Sequence, residues 1–210
     1  MTHSPNDARQ ANKLASYLSL RGVGAATAMN FSHQYRVIPQ WPDITEWIKG
    51  NSPFLTLYGT NGSGKTWAAL ATMAGFHRYQ AIVTGNLKRL NNGEWFEGCH
   101  QLFKKFSDMW LEYTSSYAEG TTAALIDGWK KPSLLVIDDI GIKAPTPGFL
   151  EAVYALLDHR MEHGTRTILT TNLPPKELAT FFGLALASRI LSGKGIEITG
   201  PDRRRKSATT

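Results

Sequence analysis

An α/β fold with a parallel sheet is predicted by three observations. A glycine-rich run, Gly59-Thr60-Asn61-Gly62-Ser63-Gly64-Lys65-Thr66, lies between the β-prone Phe54–Tyr58 and the Ala-rich residues 67–74. Four apolar residues at 134–137 end in two carboxylates, Asp138 and Asp139. A further β-prone run at 167–171 ends in Asn172, and an amphipathic helix at 149–163 separates it from the carboxylates.

The glycine run satisfies G-x-x-x-x-G-K-[ST], and strand, loop and helix are the context that this motif requires. Glycines let a backbone curl around an anion with its N–H groups turned inward. The following helix N-terminus adds partial positive charge beneath phosphates. Lys65 is expected to reach the β- and γ-phosphates of a nucleotide, and the Thr66 hydroxyl to ligate Mg²⁺. Ligands of open parallel sheets bind beyond the carboxyl ends of the strands. Asp138 is therefore placed to hold Mg²⁺ and Asp139 to orient or deprotonate an attacking water. Were the 167–171 strand beside the Asp138 strand, Asn172 would face the γ-phosphate.

In chain order, residues 7–20 read as a short helix with Leu14, Tyr17 and Leu18 on one face, ended by Gly22 and Gly24. Residues 25–40 show no clear period. A helix starts at Trp41, with Pro42 in its first turn, and residues 51–53 turn the chain into the first strand. The first 50 residues are read as a partner-binding module or a flap beside the adenine. Residues 81–84 (Ala-Ile-Val-Thr) read as a short second strand. Within the irregular 86–131 region, Leu102, Phe103, Phe106, Met109, Trp110 and Tyr113 fall at helical spacing. Lys88-Arg89 and Lys104-Lys105 interleave with these aromatics, as in single-strand DNA binding, but six Lys/Arg there face six Asp/Glu. A core-facing stripe is the simpler reading. His159-Arg160-Met161-Glu162-His163 matches H-x-x-E-H formally, yet its helix already belongs to the nucleotide fold, so metal is not assigned there. Gly164 is a natural helix stop. Pro175 opens another helix, a further one holds residues 187–191, and residues 196–198 form a last strand.

Composition bounds the class. At 210 residues with 42% apolar residues and a mean hydropathy of −0.25, a single soluble domain is expected. No apolar run approaches the ~20 residues of a membrane span. One cysteine, Cys99, excludes an intrachain disulfide and a cysteine-cluster zinc site, and a cytoplasmic protein is the expectation. Subtracting Arg203-Arg204-Arg205-Lys206 from the net charge of +6 leaves +2, so the body is nearly neutral and the tail, residues 201–210, reads as basic and disordered.

Residues 59–66, Leu-Leu-Val-Ile-Asp-Asp-Ile-Gly at 134–141, Thr170-Thr171-Asn172-Leu173 and Ser188-Arg189-Ile190-Leu191, in that order, resemble the DnaC/DnaI/IstB group of AAA+ ATPases. These are helicase loaders and transposition helper ATPases of bacteria and phages. The resemblance spans about residues 50–200 and implies a P-loop NTPase AAA+ core: a five-stranded parallel sheet flanked by helices, without a C-terminal helical lid domain. It matches Lys65 and Thr66 to Walker A, Asp138 and Asp139 to Walker B, and Asn172 to sensor 1. It matches Arg189 to the arginine finger that completes a neighbouring subunit's site. One of Arg203, Arg204 or Arg205 matches the group's closing arginine. Asp139 stands where many AAA+ proteins have Glu, which implies slow or partner-stimulated hydrolysis.

The expected function is an ATP-dependent DNA replication protein of the helicase-loader type. ATP and Mg²⁺ would control assembly of a homo-oligomer that engages single-stranded DNA, a replicative helicase, or both. An IstB-type transposition helper is the near alternative. A small-molecule kinase is the distant one, disfavoured because this sequence has no arginine-rich lid segment and because Asn172 and Arg189 would have no role in it. A non-hydrolysing ATP-binding adaptor is a fourth reading.

Overall fold

A computed structural model describes residues 5–33, 39–86, 88–89, 100–141 and 145–200. Cys99 and the basic tail at 201–210, with its candidate closing arginine, lie outside the described residues. The strands β1 (Phe54–Tyr58), β2 (Gln101–Lys105), β3 (Leu134–Ile140), β4 (Arg166–Thr171) and β5 (Lys194–Glu197) form one sheet in the order β2-β3-β4-β1-β5. Every pairing is parallel, so this is the expected five-stranded sheet. The helices are α1 (Pro5–Ser19), α2 (Ala25–His33), α3 (Trp41–Lys49), α4 (Lys65–Val83), α5 (Phe106–Glu119), α6 (Thr122–Lys130), α7 (Pro147–Glu162), α8 (Pro175–Phe182) and α9 (Leu184–Leu191). Among the described residues, no helix is long and apolar enough to cross a membrane.

The sheet is covered on both faces, which is why β3 reads as an unbroken apolar run rather than an alternating one. Successive side chains still point to opposite faces. Leu134 and Val136 pack with Leu18, Phe31, Ile44 and Met73 from α1–α4. Leu135 and Ile137 pack with Met109, Phe149, Leu157 and Ile190 from α5, α7 and α9. The first 50 residues thus contribute to the same core as the sheet, with Leu14 and Tyr17 packed against it beside Leu18.

Three basic or titratable side chains, Arg160 and His77 buried and Arg166 half-buried, tie these layers together. Arg160, fully buried on α7, donates to the carbonyls of Trp129, Lys130, Pro132 and Arg166 and to the Thr167 hydroxyl. It therefore satisfies carbonyls at the end of α6, which have no partner within the helix. Arg166 lies 4.0 Å from the Trp47 ring centre and donates to the carbonyls of Trp47 and Gly50, which fastens α3 to β4. His77 on α4 is buried against Tyr17 of α1, with ring centres 4.6 Å apart. Burial, then the charge of nearby Arg21, lowers its pKa to about 4.

Two expectations are corrected. Residues 81–83 are not a strand but the last turn of α4, with Thr84 as its C-cap. Their β-branched side chains mislead, because Ile82 and Val83 are each 55% exposed while Ala81 continues the buried face of the helix. The single helical stripe over 102–113 is also broken in two. Leu102 and Phe103 belong to β2, and only from Phe106 does the chain turn helical. Phe106, Met109 and Tyr113 are buried on α5 and Trp110 packs partly against the same core, so the aromatics are core-facing. Residues 25–33, which show no period in sequence, form α2. Gly164 closes α7 with φ +63°: its N–H donates to Met161 O and that of Thr165 to Arg160 O.

Candidate functional site

The loop from Gly59 to Gly64 leaves β1 and enters α4 directly. Gly59, Gly62 and Gly64 all have positive φ, at 148°, 75° and 104°, a region L side chains rarely adopt. At Gly59 a side chain is excluded twice over, because a Cβ would lie 2.4 Å from Ile198 O. Gly64 is the left-handed residue that starts α4, and the N–H groups of a first helical turn have no carbonyl partner within the helix. Thr60 and Asn61 sit exposed on the crest, and Ser63 is buried with no hydrogen-bond partner for its Oγ among the described residues. Lys65 Nζ donates to Thr60 O at 2.8 Å, folding the ammonium back over the loop.

The two sequence motifs meet. Thr66 Oγ1 lies 3.0 Å from each carboxylate oxygen of Asp138, across 72 residues of chain. Asp138 is 1% exposed. Its pKa is raised to about 6 by burial, against the opposing hydrogen bonds from Thr170 and Thr66. Thr170 Oγ1 approaches Asp138 Oδ1 at 2.6 Å from the adjacent strand β4. Asp139, half-buried, is the one non-glycine residue with positive φ among the described residues, at 60°. This residue sits where the β3–β4 register shifts between Ile137 and Ile140. β3 and β4 are neighbours, as the placement of Asn172 requires, and Asn172 Oδ1 is buried without a hydrogen-bond partner among the described residues.

Arg189 stands apart from this cluster. Its hydrogen bonds go to Asp158 and Tyr154 on α7. His159 in the last turn of α7 and His163 at its C-cap stack at 3.9 Å, and His163 Nδ1 lies 2.8 Å from His159 O.

The oxygen donors of Thr66 and Asp138, side by side at a helix N-terminus, fit a hard divalent cation that shares its coordination with phosphates. The positive-φ loop and the helix N-terminus behind it fit the phosphates themselves.

A family model described as IstB-like ATP binding protein matches residues 43–193. The chain belongs to this family. No curated protein sequence matches it significantly. Solved structures similar to it include that of a DNA replication initiation factor, at 17% identity over 79% of this chain and 48% of that one, with a TM-score of 0.62. They also include the DnaC helicase loader, at 20% identity over 75% of this chain and 87% of that one, TM-score 0.59. DnaI matches at 21% identity over 93% of each chain, TM-score 0.56. The chain spans about half the length of the initiation factor. The IstB-like family and these likenesses identify a DnaC/IstB-like AAA+ fold.

Three partners of the candidate residues have no individual role in the sequence reading, although Thr170 stands in the Thr170-Thr171-Asn172-Leu173 run. Thr170 carries the shortest hydrogen bond to Asp138, and Asp158 and Tyr154 hold Arg189. A weak signal existed for Thr170 alone, since a hydroxyl at the end of a buried strand must find a partner.

Proposed function

We propose that this chain is a helicase-loader-type AAA+ ATPase in DNA replication, in which ATP binding and hydrolysis control assembly. The observation that carries the reading is the contact of Thr66 with Asp138, which joins the phosphate loop to the acidic end of β3. Lys65 leaves Thr60 O for the β- and γ-phosphates. Thr66 and Asp138 hold Mg²⁺, which when bound neutralises charge on the phosphate oxygens. Asp139 orients the attacking water and Asn172 faces the γ-phosphate. Arg189 acts on the site of a neighbouring protomer, and the oligomer engages single-stranded DNA or a replicative helicase. The likeness to the DnaC helicase loader and to DnaI supports the replication role.

A second reading, an IstB-type transposition helper that remodels double-stranded DNA, is favoured by the family match itself. One set of measurements separates the readings. ATPase rate is followed with no DNA, single-stranded DNA and duplex DNA, with mass by light scattering and co-purification of the host replicative helicase. The loader reading expects helicase retention and ATP-dependent assembly. Duplex stimulation without helicase retention transfers the protein to the second reading. A monomer that phosphorylates a small molecule overturns both.

A further inference from the structure

We infer that Thr170 is a positioning residue whose single hydroxyl binds Asp138 and Asp139 into one unit, so that the group holding the metal and the group orienting water are set together. The inference rests on the ATPase reading above.

Thr170 is fully buried on β4. Its Oγ1 lies 2.6 Å from Asp138 Oδ1, and the Asp139 N–H donates to the same oxygen at 2.8 Å. A hydroxyl has one proton and two acceptor lone pairs. The Asp139 amide takes one lone pair, and because an ionised carboxylate only accepts, the hydroxyl proton goes to Asp138. The direction of the chain is thereby fixed: Asp139 N–H to Thr170, Thr170 O–H to the carboxylate, each bond polarising the other.

The backbone explains why such a tie is needed. Asp139 has φ +60°, at the register shift between Ile137 and Ile140, where strand pairing cannot hold it. Thr171 secures the far side of the same irregularity. Its hydroxyl donates to Ile140 O at 2.9 Å and accepts from the Leu173 N–H at 3.0 Å. Two adjacent threonines of β4 thus span the irregularity, and Leu173, bonded to Thr171, directly follows Asn172. Thr66 also donates to Asp138, but from the loop side; Thr170 is the donor on the sheet side and accepts from the Asp139 amide. A strained residue held by its surroundings at a site of chemistry is the expected place for such a device.

The test compares Thr170→Val, which keeps shape and strand preference but removes the hydroxyl, with Thr170→Ser, which keeps the hydroxyl and removes the methyl. Affinity for a fluorescent ATP analogue is measured in Mg²⁺ and in EDTA, with kcat and KM for ATP hydrolysis. In Thr170→Val the gain in affinity conferred by Mg²⁺ should shrink roughly tenfold, the size expected for losing one hydrogen bond to a charged group. Affinity in EDTA should stay within about twofold, and kcat should fall more than KM rises. Thr170→Ser should restore both the Mg²⁺ gain and kcat. Equal losses in Val and Ser, or a wild-type Mg²⁺ gain and kcat in Val, overturn the inference. Should Thr170→Val melt below assay temperature, Thr170→Ala against Thr170→Ser decides in the same way. Lys65→Ala runs beside them: unchanged nucleotide affinity there removes the ATP site itself, and the role of Thr170 with it. A wild-type protein whose affinity is the same in Mg²⁺ and EDTA does likewise.

Discussion

Arg189 is held by Asp158 within its own chain. Nη2 lies 2.6 Å and Nε 2.7 Å from the same oxygen, Oδ1, and Tyr154 Oη accepts from Nη2 at 3.4 Å. The side chains are 30% and 31% exposed, so the pair is partly solvated and open to exchange for a phosphate. An arginine that acts on a neighbour must first leave this carboxylate. On the proposed role, Asp158 and a partner's γ-phosphate would compete for one guanidinium.

Arg189→Ala should accordingly bind ATP nearly as wild type and hydrolyse it ~10³-fold or more slowly, as in nucleotide hydrolases deprived of such an arginine. Mixed with Lys65→Ala, which keeps its arginine, it should regain activity above either variant alone. Asp158→Ala should assemble at lower ATP concentration than wild type. No gain on mixing, in oligomers shown by mass to be mixed, removes Arg189 from the shared site.

Lys65→Ala should lose roughly ten- to hundredfold in ATP affinity, the worth of a charge-assisted hydrogen bond. Fluorescence titration checks this.

Asp138→Asn and Asp139→Asn should part company. Asp138 touches Thr66 and Thr170 at the base of the site, so its loss should weaken Mg²⁺-dependent nucleotide binding. Asp139 is half-buried beyond it, so its loss should spare binding and abolish turnover. Binding isotherms and single-turnover rates that move together in both variants would show that the two carboxylates share one role.

The nucleotide loop and the carboxylates were legible because their chemistry fixes residue types at short range. Positive φ demands glycine at 59, 62 and 64, and an apolar run that leads into Asp138 announces itself, although the strand continues to Ile140. What escaped is pairing over distance. Thr170 and Asp138 are 32 residues apart, and Arg189 and Asp158 are 31 apart, separations at which no local pattern records a partner. Helix α4 escaped at its end for another reason. It is buried on several sides from Ala68 to Met73, so it carries no clear amphipathic period to extend through the β-branched residues at 82–83.

Acid should loosen the N-terminal helix. His77 has its pKa lowered from 6.5 to about 4, so the fold favours its neutral form. The unfolded chain takes up the proton near pH 6.5 and the folded chain only near pH 4, so stability from this group is complete above pH 6.5 and is lost as pH falls to 4. Asp138, with its pKa raised to about 6, works in the opposite sense. Comparison with His77→Phe cancels the Asp138 contribution. Wild type, relative to this variant, should lose stability steadily between pH 6.5 and 4 in urea melts, and a constant difference would contradict the assignment.

Arg160→Met should be among the most damaging substitutions outside the site. The arginine serves four carbonyls and a hydroxyl without any carboxylate partner among its hydrogen bonds. Stranding several buried acceptors at ~1–3 kcal/mol each predicts a loss of ~4 kcal/mol or more. A urea midpoint close to wild type would show that water replaces the guanidinium.

Strand β2 lies at the border of the sheet, and its outward side is occupied. The Phe103 N–H donates to Arg21 O at 2.7 Å, and the chain passes so close that a Cβ on Gly22 would lie 2.4 Å from Phe103 O. A bare strand border is a template on which another chain can dock and aggregate. The segment at 21–22 is the guard against that. A fragment cut at residue 43, where the family likeness begins, would keep every phosphate-loop residue and lose its protection against self-association. The family likeness and the cover over this sheet border therefore have different starting points along the chain.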